Sequence, residues 1–256
     1  MPLNGELYSV VLALLSALAA GLVGSFALMK RMSLAGDVIS HVALPGLGLA
    51  FLFNANPLLG GAIALFFGTL IIWQLQKSSS LSTETAIGVI FVASVAIGTL
   101  LTPEEELIEA LFGGFVPLDT TGFLLGLGAA TLIISFILAF KDQLILSLFS
   151  PELATTSGIN VNRLNLFYLL IFSLTILTAL QFLGALLVGA LIIVPAAIGR
   201  QLTHTLNAFL VASAIASVFS VGLGLFVSHY HNLPLGPTIV SIASLCFVLS
   251  LLKRKN

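Results

Sequence analysis

The stretch that decides the fold of this chain is residues 165–197, NLFYLLIFSLTILTALQFLGALLVGALIIVPAA, which contains no Asp, Glu, Lys or Arg. A helix needs about 20 apolar residues to cross the hydrocarbon core of a bilayer. The same character extends over the whole sequence, since 59% of its 256 residues are hydrophobic and only 7% are charged. An average soluble domain carries roughly 25% charged residues. The sequence therefore predicts an all-α protein that crosses the membrane many times, and it excludes a water-soluble enzyme.

The few charged and sulfur-containing residues exclude further classes of protein. The formal net charge is −1 at pH 7, so there is no basic surface that would release counterions from nucleic acid. The one cysteine, Cys246, lies in an apolar stretch, so we expect neither a disulfide framework nor a thiolate metal cluster. The first ten residues carry no basic side chain, unlike a cleavable signal peptide, and we expect the first apolar segment to remain as a span.

Apolar runs bounded by charged, polar or proline residues predict nine membrane-spanning helices within one transmembrane domain, 1–256. Their approximate bounds are 8–29, 34–54, 57–76, 85–102, 121–140, 164–182, 184–199, 206–228 and 235–252. The break around Gln181–Gly184, between the sixth and seventh spans, is the least marked, so a total of eight spans is the alternative.

Basic residues predict the orientation, because Lys and Arg concentrate in short cytoplasmic loops. With nine spans, all nine basic residues fall on one side of the membrane. Taking that side as cytoplasmic places the N-terminus outside and the C-terminus inside, and this odd number of spans favours nine over eight. The acidic segment 103–119, which contains Glu104, Glu105, Glu106 and Glu109, then faces outward.

Asp37 and His41 are the clearest ionisable residues inside a predicted span, where such residues are costly and usually functional. Spaced four apart, they share one face of a helix, with His41 near the middle of the membrane. A carboxylate and an imidazole suit zinc, manganese or ferrous iron. Because two ligands are too few, we expect a two-fold homodimer to supply two of each, a set that suits tetrahedral zinc. The alternative is an Asp–His ion pair that locks the helix against a neighbour.

Three other features bear on whether a metal ion could pass through the membrane beside Asp37 and His41. Pro45 and Gly46 predict a local break in the helix just beyond His41, as is common where backbone lines a cavity. His229 and His231 lie in a predicted outer loop and are candidates for a weak metal site at the mouth of the pathway. The alternative is that they are solvated loop residues.

Motifs of hydrolytic enzymes are missing from the sequence, which has no HExxH, no GxSxG and no P-loop. Any energy source must therefore be another polypeptide or an ion gradient. Residues 150–158 predict a short cytoplasmic helix, with Ser150 as N-cap, Pro151 in the first turn and Gly158 just past the end. Two turns are marginal alone, so this helix packs either on its own bundle or on a docked cytoplasmic protein.

Residues 33–46, SLAGDVISHVALPG, resemble the signature S-L-x-G-D-x-x-S-H-x-x-L-P-G of the permease subunits of ABC importers for zinc, manganese and iron. Four further segments resemble segments of the same family in the same order: 85–91 (TAIGVIF), 150–158 (SPELATTSG), 188–197 (VGALIIVPAA) and 233–237 (LPLGP). The resemblance extends over nearly the whole chain.

This resemblance implies a bundle of the type II ABC importer permease kind in the bacterial cytoplasmic membrane, surrounded by lipid. It implies a homodimer that works with two cytoplasmic ATPase subunits and an extracytoplasmic metal-binding protein. Asp37 and His41 would be pathway ligands for zinc, or for manganese or iron, with no permanently bound cofactor. The segment that couples to the ATPase would comprise Pro151, Glu152, Leu153, Ala154 and Gly158.

The expected mechanism is ATP-driven alternating access, with the binding protein docked on the outer acidic face. Since the chain stops at Asn256, no C-terminal regulatory metal site is expected. Two alternatives remain. In the first, the chain is a proton- or sodium-coupled metal transporter with Asp37 as the proton-exchange group; in the second, it is a purely structural membrane subunit.

Overall fold

The computed structural model describes residues 3–32, 35–78, 83–103, 111, 118–185 and 187–252, and every element within these ranges is helical. In chain order they are α1 (Leu3–Met29), α2 (Ala35–Ser40), a 3₁₀ turn (His41–Ala43), α3 (Leu44–Leu52), α4 (Pro57–Ser78), α5 (Thr83–Leu101), α6 (Thr120–Phe149), α7 (Pro151–Thr156), α8 (Val161–Leu183), α9 (Val188–Leu202), α10 (Leu206–His231) and α11 (Leu235–Leu252). The predicted all-α class is confirmed over the described part of the chain.

Seven described segments are long and apolar enough to cross a membrane, counting α2, the 3₁₀ turn and α3 as one. Two shorter apolar helices, Thr85–Leu101 and Val188–Leu202, coincide with the fourth and seventh predicted spans. At 15 residues, α9 is about 23 Å long, less than the roughly 30 Å of a hydrocarbon core. Each predicted span thus corresponds to an apolar helical segment, while the total of nine crossings stays a prediction.

Most helix ends lie within a few residues of the predicted bounds, and the end of the fifth span differs most. The faint break between the sixth and seventh spans is present, since α8 ends at Leu183 and α9 begins at Val188. The fifth predicted span, 121–140, is too short, because α6 continues to Phe149. The charges at Lys141 and Asp142 end the apolar run without ending the helix, which still buries Leu144 near its end.

Helix α1 lies at the centre of the bundle and contacts α6, α8, α9 and α10. Most of its buried positions hold Ala, Gly or Ser, among them Ala17, Ala19 and Ala20, each with no exposed surface. Small side chains allow helix backbones to approach closely, which matters in lipid because packing there replaces the hydrophobic drive. Close contacts between helices therefore form much of the centre of the molecule, where α1 also buries the large side chain of Phe26.

Hydrogen bonds bring several basic helix ends to one end of the bundle. The Lys30 Nζ, just after α1, donates to Asn165 Oδ1 near the start of α8 at 2.9 Å. The Asn165 Nδ2 donates to Gln76 Oε1 near the end of α4 at 3.2 Å. We call the end of the bundle that holds Lys30, Gln76 and Asn165 the basic end. Its orientation toward the cytoplasm stays a prediction, and residues 253–256 and most of the acidic segment 103–119 lie outside the described residues.

Candidate metal site and coupling helix

The helix that carries Asp37 and His41 is broken at His41 itself. The break is the 3₁₀ turn His41–Ala43, which precedes Pro45, whereas the sequence placed it at Pro45 and Gly46. Pro45 has no N–H and cannot donate to the carbonyl of His41 four residues earlier. The N–H of Leu44 bonds to that carbonyl instead, which gives the tighter i to i+3 pattern.

The imidazole of His41 is held in a defined orientation and tautomer. Its Nδ1 lies 2.8 Å from the main-chain carbonyl oxygen of Asp37. A carbonyl can only accept, so Nδ1 donates, and in the neutral ring Nε2 keeps its lone pair for a metal. The His41 side chain is 8% exposed, and its ring stands edge-to-face against Phe91 of α5 with centroids 5.2 Å apart. These contacts leave one nitrogen prepared as a ligand.

The carboxylate of Asp37 is half-buried and forms no hydrogen bond or ion pair with any described residue. The alternative of an Asp–His ion pair is therefore not realised, because His41 bonds to the main chain of Asp37 rather than to its carboxylate. Both potential ligands are left available. No group of three or more His, Cys, Asp or Glu among the described residues could hold a metal ion, so the described part of one chain provides an incomplete set.

Two positioning residues were not singled out from the sequence. The Ser40 Oγ is fully buried and lies 2.6 Å from the carbonyl oxygens of both Asp37 and Ala185, so it ties α2 to the connection between α8 and α9. A Cβ at Gly189 of α9 would lie 2.7 Å from the Cα of Asp37, a distance that real Cβ contacts essentially never show. Gly189 therefore permits the close approach of α9 behind Asp37. Their signals were present, since both lie in segments that resemble the permease family.

His229 and His231 lie in the last turn of α10, not in the predicted loop. The helix continues to Asn232, which takes the left-handed conformation at φ 51° and ends it. Two residues apart on a helix, the two imidazoles point to different sides. His229 lines a cavity of about 370 Å³ together with Glu6, whereas His231 packs edge-to-face on Tyr230 with centroids 5.0 Å apart. The two histidines therefore point to different sides of α10, and His229 shares its cavity with Glu6 instead of with His231.

The predicted short helix between the fifth and sixth spans is present as α7, which is shorter than the predicted 150–158. Gly158 lies just past its end, as predicted, and takes the left-handed conformation with a φ of 81°. The N–H of Ile159 bonds to the Ala154 carbonyl at 2.9 Å and that of Gly158 to the Thr155 carbonyl at 3.0 Å, which is a Schellman motif. At the other end, Ser150 occupies the N-cap position, but its side chain makes no capping hydrogen bond.

Most of α7 lies on the surface of the chain. Pro151 and Glu152 are exposed, Leu153 is 58% exposed, and Phe149 just before the helix is 76% exposed. Ala154 alone within α7 is buried. The helix is thus anchored to the bundle by one small residue and presents a carboxylate and large apolar side chains outward.

Comparison with known proteins places these features in a family context. The profile of the ABC 3 transport family matches residues 7–254. The manganese transport system membrane protein MntC of Listeria monocytogenes is 31% identical over 92% of this chain and 85% of its own length. The high-affinity zinc uptake system membrane protein ZnuB of Haemophilus influenzae is 30% identical over 98% of this chain and 96% of its own.

A solved structure shares the fold. PsaBC from Streptococcus pneumoniae, determined in complex with Fab, contains a chain that superposes with a TM-score of 0.83. The two chains are 29% identical, and the alignment covers 97% of this chain and 94% of the other. The overall arrangement of helices in this chain is therefore shared with that solved structure.

Proposed function

The chain belongs to the ABC 3 transport family, and on that premise we propose that it carries a divalent metal ion along a pathway whose ligands are Asp37 and His41. It is a membrane permease of a metal-ion ABC importer, a transport component rather than an enzyme. Its relatives are named for manganese and for zinc, so the metal must be argued from the site.

The observation that carries the proposal is the arrangement of the two potential ligands. The Nδ1 of His41 is occupied by a main-chain carbonyl, which leaves Nε2 for a metal, and the nearby carboxylate of Asp37 has no described partner. Two copies of the chain related by a two-fold axis provide two nitrogens and two oxygens. That set suits tetrahedral zinc, whereas manganese sites usually hold more carboxylates, so zinc is the favoured cargo.

The transport cycle is alternating access driven by two ATPase subunits. Such a subunit docks on α7, whose exposed Glu152 and Leu153 face away from the bundle. Movement of α7 opens the basic end of the bundle and releases the ion inward. An ion that binds well from outside and leaves inside requires the two states to differ in affinity by a few kcal/mol. Four ligands contributed by two chains allow this, because a small relative shift separates them.

Metal reaches the pathway from an extracytoplasmic binding protein that docks at the end of the bundle opposite the basic end. The cavity shared by Glu6 and His229 lies at that end and supplies one carboxylate and one imidazole. Two ligands hold an ion only weakly, which suits a site of first capture. His231 has no part in it because it points to another side of α10.

The test is metal uptake by the complete importer carrying Asp37→Asn or His41→Gln. Each change keeps the side-chain size but removes a ligand, so we expect uptake of radioactive zinc to fall by more than about 100-fold, with membrane insertion unchanged. Asp142→Asn and His204→Gln, at exposed positions away from the pathway, are matched controls and should transport normally. Uptake at the wild-type rate in both pathway variants would sink the proposal, and parallel measurement of manganese identifies the preferred metal.

A second experiment separates an ATP-driven importer from an ion-coupled transporter. The chain is reconstituted alone into vesicles and given a pH or sodium gradient without any ATPase. We expect no metal uptake under these conditions, and uptake only when the ATPase and ATP are added. Gradient-driven uptake by the chain alone would overturn the assignment of the energy source.

A further inference from the structure

A polar cavity of about 730 Å³ lies at the basic end of the bundle, outside the proposed metal pathway. It is bordered by Gln76 and Lys77 of α4, by Gly158 after α7, and by Asn160, Asn162 and Asn165 around the start of α8. Its volume lies within the roughly 300–1,000 Å³ of sites that hold small ligands. Among the described residues that line it, none carries a carboxylate.

The ammonium group of Lys77 lines this cavity, and that of Lys30 bonds to one of its lining residues; neither group has a described anion. Lys77 is exposed and lines the cavity, with its Nζ 5.5 Å from the centroid of the Trp73 ring. Lys30 is half-buried, and its Nζ donates to Asn165, which itself lines the cavity. Within the described part of the chain, Lys30 forms no ion pair with a carboxylate. Positive charge that is partly removed from water and unpaired is costly, so an anion here would be stabilised.

An apolar groove of about 470 Å³ lies farther along the same two helices, α4 and α8. Its walls include Phe66, Phe67, Leu170 and Leu174, and both phenylalanines are about half exposed. On α4, Phe66 lies seven residues before Trp73 and eleven before Lys77, spacings that keep all three on one face. The distance along the helix from Phe66 to Lys77 is about 16 Å. A charged, polar site therefore leads along one helix pair into an apolar groove.

We propose that this cavity and groove bind one anionic phospholipid from the leaflet at the basic end. Its phosphate lies beside Lys77 and the amide side chains of Gln76, Asn162 and Asn165, and an acyl chain follows the α4–α8 groove. Basic pockets between transmembrane helices are a recurring way to bind such headgroups. Trp73, between the two regions, is the residue type that proteins place at the membrane–water interface. The assignment is independent of the transported metal.

The test uses Trp73 as a local reporter, because it is the sole tryptophan in the sequence. The full-length chain is reconstituted in phosphatidylcholine vesicles that contain a small fraction of brominated lipid, either phosphatidylglycerol or phosphatidylcholine. Bromine quenches tryptophan fluorescence only at close range, so the ratio of the two quenching levels measures preference for the anionic lipid. We expect strong preference in the wild type and a loss of about five-fold in Lys77→Gln, the contribution of one interfacial lysine.

Lys141→Gln is the matched control, since it also removes a single lysine but Lys141 bonds to Asn207 and lines neither the cavity nor the groove. It should keep the wild-type preference. Native mass spectrometry of the wild-type chain needs no variant and should show retained phosphatidylglycerol rather than phosphatidylcholine.

Several results would overturn the proposal. Equal quenching by the two lipids in the wild type would show that no anionic lipid binds at this site. A preference that survives Lys77→Gln would show the same. If millimolar inorganic phosphate abolishes the preference, the cavity binds a free anion instead of a lipid. If neither lipid quenches the fluorescence until the protein is diluted into monomers, a second copy of the chain covers the groove.

Discussion

At the scale of single residues, the candidate metal site depends on contacts that leave potential metal ligands free. His41 uses one ring nitrogen on a main-chain carbonyl and so keeps the other for an ion. Gly189 contributes by lacking a side chain, because α9 then passes close behind Asp37. The proposed metal site thus depends on a tautomer and on the absence of one methyl group.

Gly189→Ala should therefore impair transport without removing a ligand. The added Cβ would lie 2.6 Å from the main-chain nitrogen of Asp37, so α2 and α9 must separate. Overpacking of this kind costs about 1–3 kcal/mol, and we expect a lower thermal unfolding midpoint together with reduced uptake. Gly128→Ala is the control, because a Cβ there meets no atom within 4 Å and should leave both measurements unchanged or slightly improved. Normal uptake by Gly189→Ala would show that the close approach is dispensable.

Lys30 gives the molecule a predicted pH dependence. Burial lowers the pKa of Lys30 from 10.5 to about 8 in the folded chain, so the unfolded chain holds its proton to higher pH. Below pH 8 both states are protonated and this group adds no slope. Between pH 8 and 10.5 the unfolded state binds more protons, and the free energy of unfolding therefore rises with pH. The measurement is thermal unfolding in detergent across this window, with Lys30→Gln as the reference that removes the contribution. A difference between the two proteins that does not change with pH would contradict the prediction.

At the scale of secondary-structure elements, helix discontinuities lie at both segments to which a function is proposed. The helix of Asp37 and His41 is interrupted by a 3₁₀ turn because Pro45 cannot donate to the carbonyl of His41. The second discontinuity is the short exposed helix α7, closed by a Schellman motif at Gly158. In both places a residue that cannot continue an ordinary helix sets the position of a functional segment.

Glu152→Lys and Gly158→Pro should each abolish co-purification of the ATPase while the permease stays inserted. The first reverses the exposed charge of α7, and the second is incompatible with a φ of 81° and removes a hydrogen-bond donor from the motif. Asp142→Lys, a charge reversal at an exposed position of α6, should keep the ATPase bound. Binding that survives both changes in α7 would mean that the ATPase docks elsewhere.

At the scale of the whole molecule, hydrogen bonds join polar side chains at one end of the bundle. Lys30, Gln76 and Asn165 connect three helix ends through hydrogen bonds, while Asp37 lies on a helix inside the apolar part of the chain. The described residues of one chain supply no complete metal site. A pathway built on a two-fold axis removes this deficiency, because each ligand is then present twice.

This leads us to expect one bound metal ion for every two chains. The measurement is native mass spectrometry of the purified importer equilibrated with zinc, combined with metal analysis of the same sample. Asp37→Asn and His41→Gln should lose the ion while the dimer persists. One ion for each chain would contradict a shared site and point to ligands from elsewhere in the same chain.

Local pattern was enough to predict much of this protein. Spans follow from runs of apolar residues, the Asp37–His41 pair from its helical spacing, and the end of α7 from Gly158. Errors arose where a local signal was ambiguous. Charges at Lys141 and Asp142 end an apolar run but not a helix, and the polar residues around His229 were taken as a loop although α10 extends through them.

The sequence by itself therefore determined that this chain spans a membrane and which segments are helical, and it predicts Asp37 and His41 as metal ligands, since each of these depends on neighbours a few positions away. The tertiary structure alone decided how the site is held. Ser40 bonds a carbonyl 145 residues away, and Lys30 bonds an asparagine 135 residues away. Such contacts depend on which helices pack together and how closely, and no local periodicity records that.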